Sequence, residues 1–254
     1  MVKLFLVAFV SVCFLFGGEY SLRGYSHVKK FYKELAPLAL EIGLEYNIPP
    51  ASLLAIAGVE SGYGSGYVAQ ISGNVLSLGA NKNDTMLPPL YLPYSKEKKK
   101  ILFKPAEIQK QPQSDLSYKT RAKSLKKDYR PKAIAGSAKE LDYFSGHPAA
   151  KSKAHRENLK DFASLWISKN ARFEPFRQAR EYLDGAVAKG GKKVLFDPKL
   201  NVDFVDLVGG RPHSFNYRKS WPKKVKYLLR RAGLVELMKA MQEGESFEKA
   251  WAAQ

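Results

Sequence analysis

Glu60 closes a stretch, Ala51 to Val59, in which every other side chain is apolar or small. A carboxyl group so placed is costly unless it is exposed, paired or used. Two local effects push its pKa upward: apolar surroundings disfavour the ionised form, and the negative end of a helix dipole lies at the C-terminal turn. An acid that keeps its proton near neutral pH can hand it to a leaving group, which is the general-acid half of glycoside hydrolysis. The alternative is a surface glutamate at a frayed helix end. Gly62, Gly64 and Gly66 follow directly and suit a cleft wall, because missing side chains let a ligand approach the backbone. Tyr63 and Tyr67 can offer ring faces to sugars, with packing as the alternative, and Asn74 can hydrogen-bond an acetamido group.

Other chemistries find little support in the chain. Its 254 residues hold one cysteine, Cys13, so neither an internal disulfide framework nor a thiolate zinc site is available. The four histidines, His27, His147, His155 and His213, lack metal-ligand spacing, and neither a metal nor a cofactor is expected. Basic residues number 42 against 24 acids, a net charge of +18, which points to an anionic polymer or surface as partner. Lys3 and the apolar run Leu4 to Phe16, followed by Gly17 and Gly18, have the layout of a secretory signal over residues 1–18, with an uncleaved anchor as the alternative. The run is shorter than the roughly 20 residues that span a bilayer as a helix. Export to the periplasm or cell envelope is therefore expected. It turns the lysine clusters, at Lys96 to Lys100 and at Lys223 to Arg231 among others, from a nucleic-acid signal toward envelope polyanions.

The elements that would position Glu60 are legible as periodicities. Val28, Phe31, Leu35, Leu38, Ile42 and Tyr46 define an amphipathic helix over 27–47, with Pro37 expected to kink or restart it. Pro49 and Pro50 suit the first turn of a second helix, buried on all sides, that stops at Glu60 to Gly66. Prolines and short apolar runs between Leu76 and Pro112 suggest a small hairpin lobe. Residues 112–155 are polar and basic and read as an insertion or flap. Helical spacing returns through Leu159 to Trp166, Phe173 to Leu183 and Val225 to Ala232, the last ended by Gly233. The expected fold class is mainly α with a small β-hairpin lobe.

The stretch Ile48 to Ala80 resembles the core of the bacterial glucosaminidase family, glycoside hydrolase family 73, whose members are endo-beta-N-acetylglucosaminidases. The family's E-S-G-W/Y-G motif is matched at Glu60 to Gly64. Its G-N-N-L-F-G is matched at Gly73 to Gly79, with Val75 and Ser77 in place of Asn and Phe. Phe162 to Arg180 is similar to the family's stretch around N-P-R-Y, with Phe173 at the tyrosine position, and Tyr217 to Leu234 resembles the closing helix. The resemblance implies a lysozyme-like domain over 25–240, with the basic insertion around 112–155. It also implies cleavage of peptidoglycan glycan strands after N-acetylglucosamine. It carries Glu60 over as the general acid and places a second acid on the hairpin, where Glu97 and then Asp84 are candidates. Two schemes follow: the substrate's own acetamido oxygen as nucleophile, or a water activated by Glu97.

Three rival readings remain open at this stage. A lytic transglycosylase also sets a lone glutamate in an E-S pair at a helix end, but resembles G-L-M-Q downstream where this chain has Gly73-Asn74-Val75-Leu76. A non-catalytic, basic cell-wall-binding protein could keep the scaffold without the reaction. A nucleic-acid binder requires that the N-terminal run not direct export, so the partners expected are glycan strands and anionic envelope surfaces, and no nucleic acid.

Overall fold

In the computed structural model, which describes residues 20–87, 90–102, 104–121 and 126–253, the first periodicity becomes helix α1, Ser26–Tyr46. The proposed signal segment 1–18 lies outside the described residues. Pro37 sits inside α1 without ending it. Leu35, Ala36 and Ala39 around it are fully buried, and their packing outweighs the one backbone bond that proline removes. Asn47 stops the helix in the left-handed conformation. Pro50 then opens α2, Pro50–Ser61, whose residues from Pro50 to Gly58 are all buried.

Beyond α2 come α3, Tyr67–Ser72, and a sheet formed by β1, Leu90–Ser95, β2, Lys100–Ile101, and β3, Leu116–Arg121, with α4, Pro105–Gln109, between the last two. The sheet is antiparallel in the order β2-β1-β3, with Tyr94 opposite Ile101 and Leu92 opposite Lys119. The expected hairpin is thus a three-stranded sheet. Its third strand comes from the polar, basic stretch 112–155, which is therefore not simply an insertion or flap.

The same stretch contributes in two further ways. Asp128 and Arg130 form an ion pair at 2.8 Å with both side chains fully buried; Asp128 also accepts from the Gly136 amide at 2.7 Å, and Arg130 donates to the carbonyls of Ser137 and Lys139. After α5, Tyr143–Gly146, residues 148–155 begin α6, Pro148–Asp161, where Ala154 and His155 are buried. That helix lies so close to Gly73 that a β-carbon there would stand 2.6 Å from the Ala154 methyl. A basic, weakly periodic sequence hides the helix because its buried stripe is short and includes His155 and Asn158.

A π-helical turn, Phe162–Trp166, leads to α7, Glu174–Gly190. Then follow α8, Pro198–Val208, α9, Trp221–Arg231, α10, Leu234–Gln242, and α11, Phe247–Ala252. Gly233 ends α9 in the left-handed conformation and at once precedes α10. Helix α2 is the hub of the core: α1, α8, α9 and α10 all pack on it. Ser52, on its first turn, is satisfied by the buried Asn201 of α8 at 2.8 Å. Each fully buried leucine or isoleucine of α2 contributes roughly 1.5–3 kcal/mol of transfer free energy, so the helix that ends at Glu60 is among the most firmly held elements of the chain. No helix among the described residues is long and apolar enough to cross a membrane.

Candidate active site

Glu60 lies in the last turn of α2, half-buried. Its Oε1 accepts a hydrogen bond of 2.7 Å from the indole Nε1 of Trp221, the first residue of α9. Burial raises the Glu60 pKa above the usual carboxylate value. Four groups pull the other way without cancelling it: the Trp221 indole N–H, Lys126, the Asn216 side chain and Arg218. Each of these favours the carboxylate, by donating to it or by positive charge. The result is an acid that binds its proton more tightly than an ordinary glutamate and, once deprotonated, meets donors and cations instead of bare apolar surface.

The partners are themselves fixed. Trp221 is buried, tilted against Phe215 with ring centroids 5.7 Å apart. A β-carbon at Gly209 would stand 2.1 Å from the indole Cε3, so only glycine leaves room for the ring that holds Glu60. Gly209 pairs with Asn216 across an isolated bridge, which closes the loop that ends at Asn216, two residues before Arg218. Lys126 donates from Nζ to the carbonyl of Ser77 at 2.5 Å and faces Gly79 in another bridge. Three chain segments, ending α2, opening α9 and following β3, thus converge on one carboxyl group.

The segment after Glu60 is tightly folded. Ser61 Oγ donates to the Ala57 carbonyl at 2.6 Å and accepts from the Gly64 amide at 2.8 Å. Gly62, Tyr63 and Gly64 are all left-handed, at φ 55°, 55° and 74°. The space beside Gly64 is taken by the Phe31 ring, 3.1 Å from where a β-carbon would sit, so this glycine serves packing. Tyr63 stands edge-on to Phe31, Tyr32 and His27 at centroid distances of 6.2, 6.0 and 5.7 Å. It lines a groove, described below, whose lining does not include Glu60. Tyr67 begins α3 and is half-buried.

Asn74 requires a correction. Its side chain is fully buried and saturated: Nδ2 donates to the carbonyls of Leu78 and Lys127, each at 3.0 Å, and Oδ1 accepts from the Leu78 amide at 2.8 Å and from Asn158 Nδ2 at 3.0 Å. No hydrogen-bonding capacity is left for an acetamido group. Asn74 instead pins the 73–79 loop to Lys127 and α6, and that loop supplies the Ser77 carbonyl on which Lys126 rests.

Glu97 is not among the groups acting on Glu60. It lies exposed in the turn joining β1 to β2, where its amide donates to Asp115 at 2.7 Å. The charged groups acting on Glu60 are the cations Lys126 and Arg218. Asp84 is held by Lys127 at 3.2 Å, and that lysine also meets Asp161 at 2.6 Å. Trp221, Asn216, Lys126 and Arg218, which act on Glu60, carry no motif in the sequence that points to it. The one available signal was a tryptophan-proline pair opening an amphipathic helix, since a buried indole N–H needs an acceptor.

The fold and site define a mainly helical domain with a small antiparallel sheet, in which several chain segments meet at one half-buried carboxyl group of raised pKa. No family model and no curated protein matches the chain. Among solved structures, the catalytic domain of the autolysin Auto from Listeria monocytogenes is similar at 15% sequence identity, with 83% of this chain and 87% of that chain covered and a TM-score of 0.45. The functional reading rests on this chain's own residues.

Proposed function

We propose that this chain is a peptidoglycan hydrolase that cleaves the glycosidic bond following N-acetylglucosamine, with Glu60 as general acid. The observation that carries the reading is the half-buried Glu60 carboxyl, its pKa raised by burial and its side chain oriented by the Trp221 indole at 2.7 Å. Glu60 gives its proton to the glycosidic oxygen as the C1–O bond breaks. The acetamido oxygen of the same sugar then bonds to C1, a recognised substitute for a second carboxylate. Water opens that ring at C1 and returns a proton to Glu60, now a base stabilised by Trp221, Asn216, Lys126 and Arg218. Glu97 is not among the groups that act on Glu60, which supports this scheme over a water activated by that residue.

A lone acid also suits the lytic transglycosylase reading, in which a sugar hydroxyl replaces water, and fragment masses separate the two. Wild type should clear insoluble peptidoglycan and release fragments ending in reducing N-acetylglucosamine. Glu60→Gln should lose activity by about 10²–10⁴-fold, the usual contribution of general-acid catalysis, while Glu97→Gln keeps it. Equal clearing by Glu60→Gln and wild type would defeat the reading; anhydro-muramic ends would replace hydrolysis by transglycosylation.

A further inference from the structure

A groove of about 540 Å3 runs between the end of α2 and the outer face of α9, lined by Gly58, Val59, Tyr63, Lys223, Lys224 and Tyr227, with Leu228 beneath. Val59 and Gly62 border it on either side of Glu60 in sequence, so the groove and the candidate acid share one helix end. The floor is apolar and the rim is cationic. Lys223 and Lys224 are exposed and, among the described residues, have neither an ion pair nor a side-chain hydrogen bond, whereas Lys226 on the same helix is paired with Asp206 at 2.7 Å. No acidic residue lines the groove. The positive end of the α9 dipole lies at the same place.

Polar atoms also converge there. The Tyr63 and Tyr227 hydroxyls are near enough for Tyr227 to act electrostatically on Tyr63. Behind the floor, the fully buried Tyr32 hydroxyl has no hydrogen-bond partner, and a β-carbon at Gly58 would come within 2.6 Å of it. A buried hydroxyl left unsatisfied is uncommon in a folded protein.

The chemistry that fits is a short chain with small apolar side chains for the floor and carboxylates for the rim. A phosphodiester polymer would leave Val59 and Leu228 unused, and a membrane surface would call for protruding apolar side chains, whereas the exposed ring here, Tyr227, belongs to a concave wall. We infer that this groove is a second binding site, distinct from Glu60, that takes the carboxylate-bearing peptide stems of the wall polymer. Lys223 and Lys224 then meet the carboxylates, and the alanine methyl groups rest on Val59 and Leu228. The identity of the peptide rests on the hydrolase reading, while the site's preference for an acidic peptide does not.

The test is titration calorimetry of the intact protein with a soluble stem tetrapeptide released from peptidoglycan. Wild type and Glu60→Gln should both bind it saturably, and the double variant Lys223→Gln/Lys224→Gln should bind at least tenfold more weakly. Because Glu60→Gln is included, loss of the catalytic reading leaves this measurement standing. In turnover, the double variant should raise KM for stem-bearing peptidoglycan several-fold at unchanged kcat and match wild type on glycan strands stripped of peptide. No saturable binding by wild type, equal binding by the double variant, or an equal loss on stripped strands would overturn the inference. So would lysine-dependent binding to phosphatidylglycerol vesicles that is tighter than binding to the peptide.

Discussion

A carboxyl group can serve as acid and then as base only if its surroundings tolerate both charge states, and the contacts of Glu60 divide along that line. Burial favours the proton, while the Trp221 indole, Lys126, Asn216 and Arg218 favour its departure. Removing a donor to the carboxylate must therefore raise the pKa further. In Trp221→Phe, the alkaline limb of the kcat/KM profile, which falls as Glu60 loses its proton, should move to higher pH. Activity at the optimum should fall at least tenfold through loss of orientation. A limb unmoved or shifted to lower pH would show that the indole does not govern this titration. The residue scale is also where the sequence was most uneven. Glu60 is legible because its neighbours along the chain are apolar, whereas the groups around its carboxyl lie far away in sequence, and the burial of Asn74 is not legible because a saturated buried amide and a free one look the same in a string of letters.

At the scale of elements, the site depends on how closely the chain can approach the tryptophan that opens α9. Gly209 is extended, at φ −144°, so alanine there meets no backbone strain; it meets the indole itself. Gly209→Ala should displace Trp221, reduce activity at least tenfold, and cost about 1–3 kcal/mol in urea unfolding, the usual range for overpacking. Full activity with unchanged stability would mean that the ring has another place to go. The helices that could be read from sequence, α1, α2, α7 and α9, are those with long apolar stripes or a glycine stop. Helices α10 and α11 are short, and α6 has a buried face that includes histidine and asparagine, so none of the three stands out as a periodicity. Pro37 misled in the opposite direction, since tertiary packing carries α1 through a residue that would break it in isolation.

At the scale of the whole molecule, parts remote in sequence are tied across the core. Arg23, in the short helical turn before α1, donates to the carbonyls of Ala232, Gly233 and Ala250, each at 2.9 Å, and so joins the start of the described chain to its last helices. On the sheet side, the buried Asp128–Arg130 pair organises the segment that delivers Lys126 toward Glu60. Asp128→Ala would strand a fully buried guanidinium, and urea unfolding should show a loss of about 3–5 kcal/mol; a change under 1 kcal/mol would mean that the segment is held some other way.

These ties converge on one question, whether the Glu60 side chain keeps its proton where an ordinary glutamate has lost it. Carbon-13 NMR titration of the Glu60 carboxyl carbon, in wild type saturated with a non-hydrolysable N-acetylglucosamine oligomer, asks it directly. A midpoint clearly above the ordinary glutamate value of about 4.3 is the predicted result. A midpoint at or below that value would contradict the account.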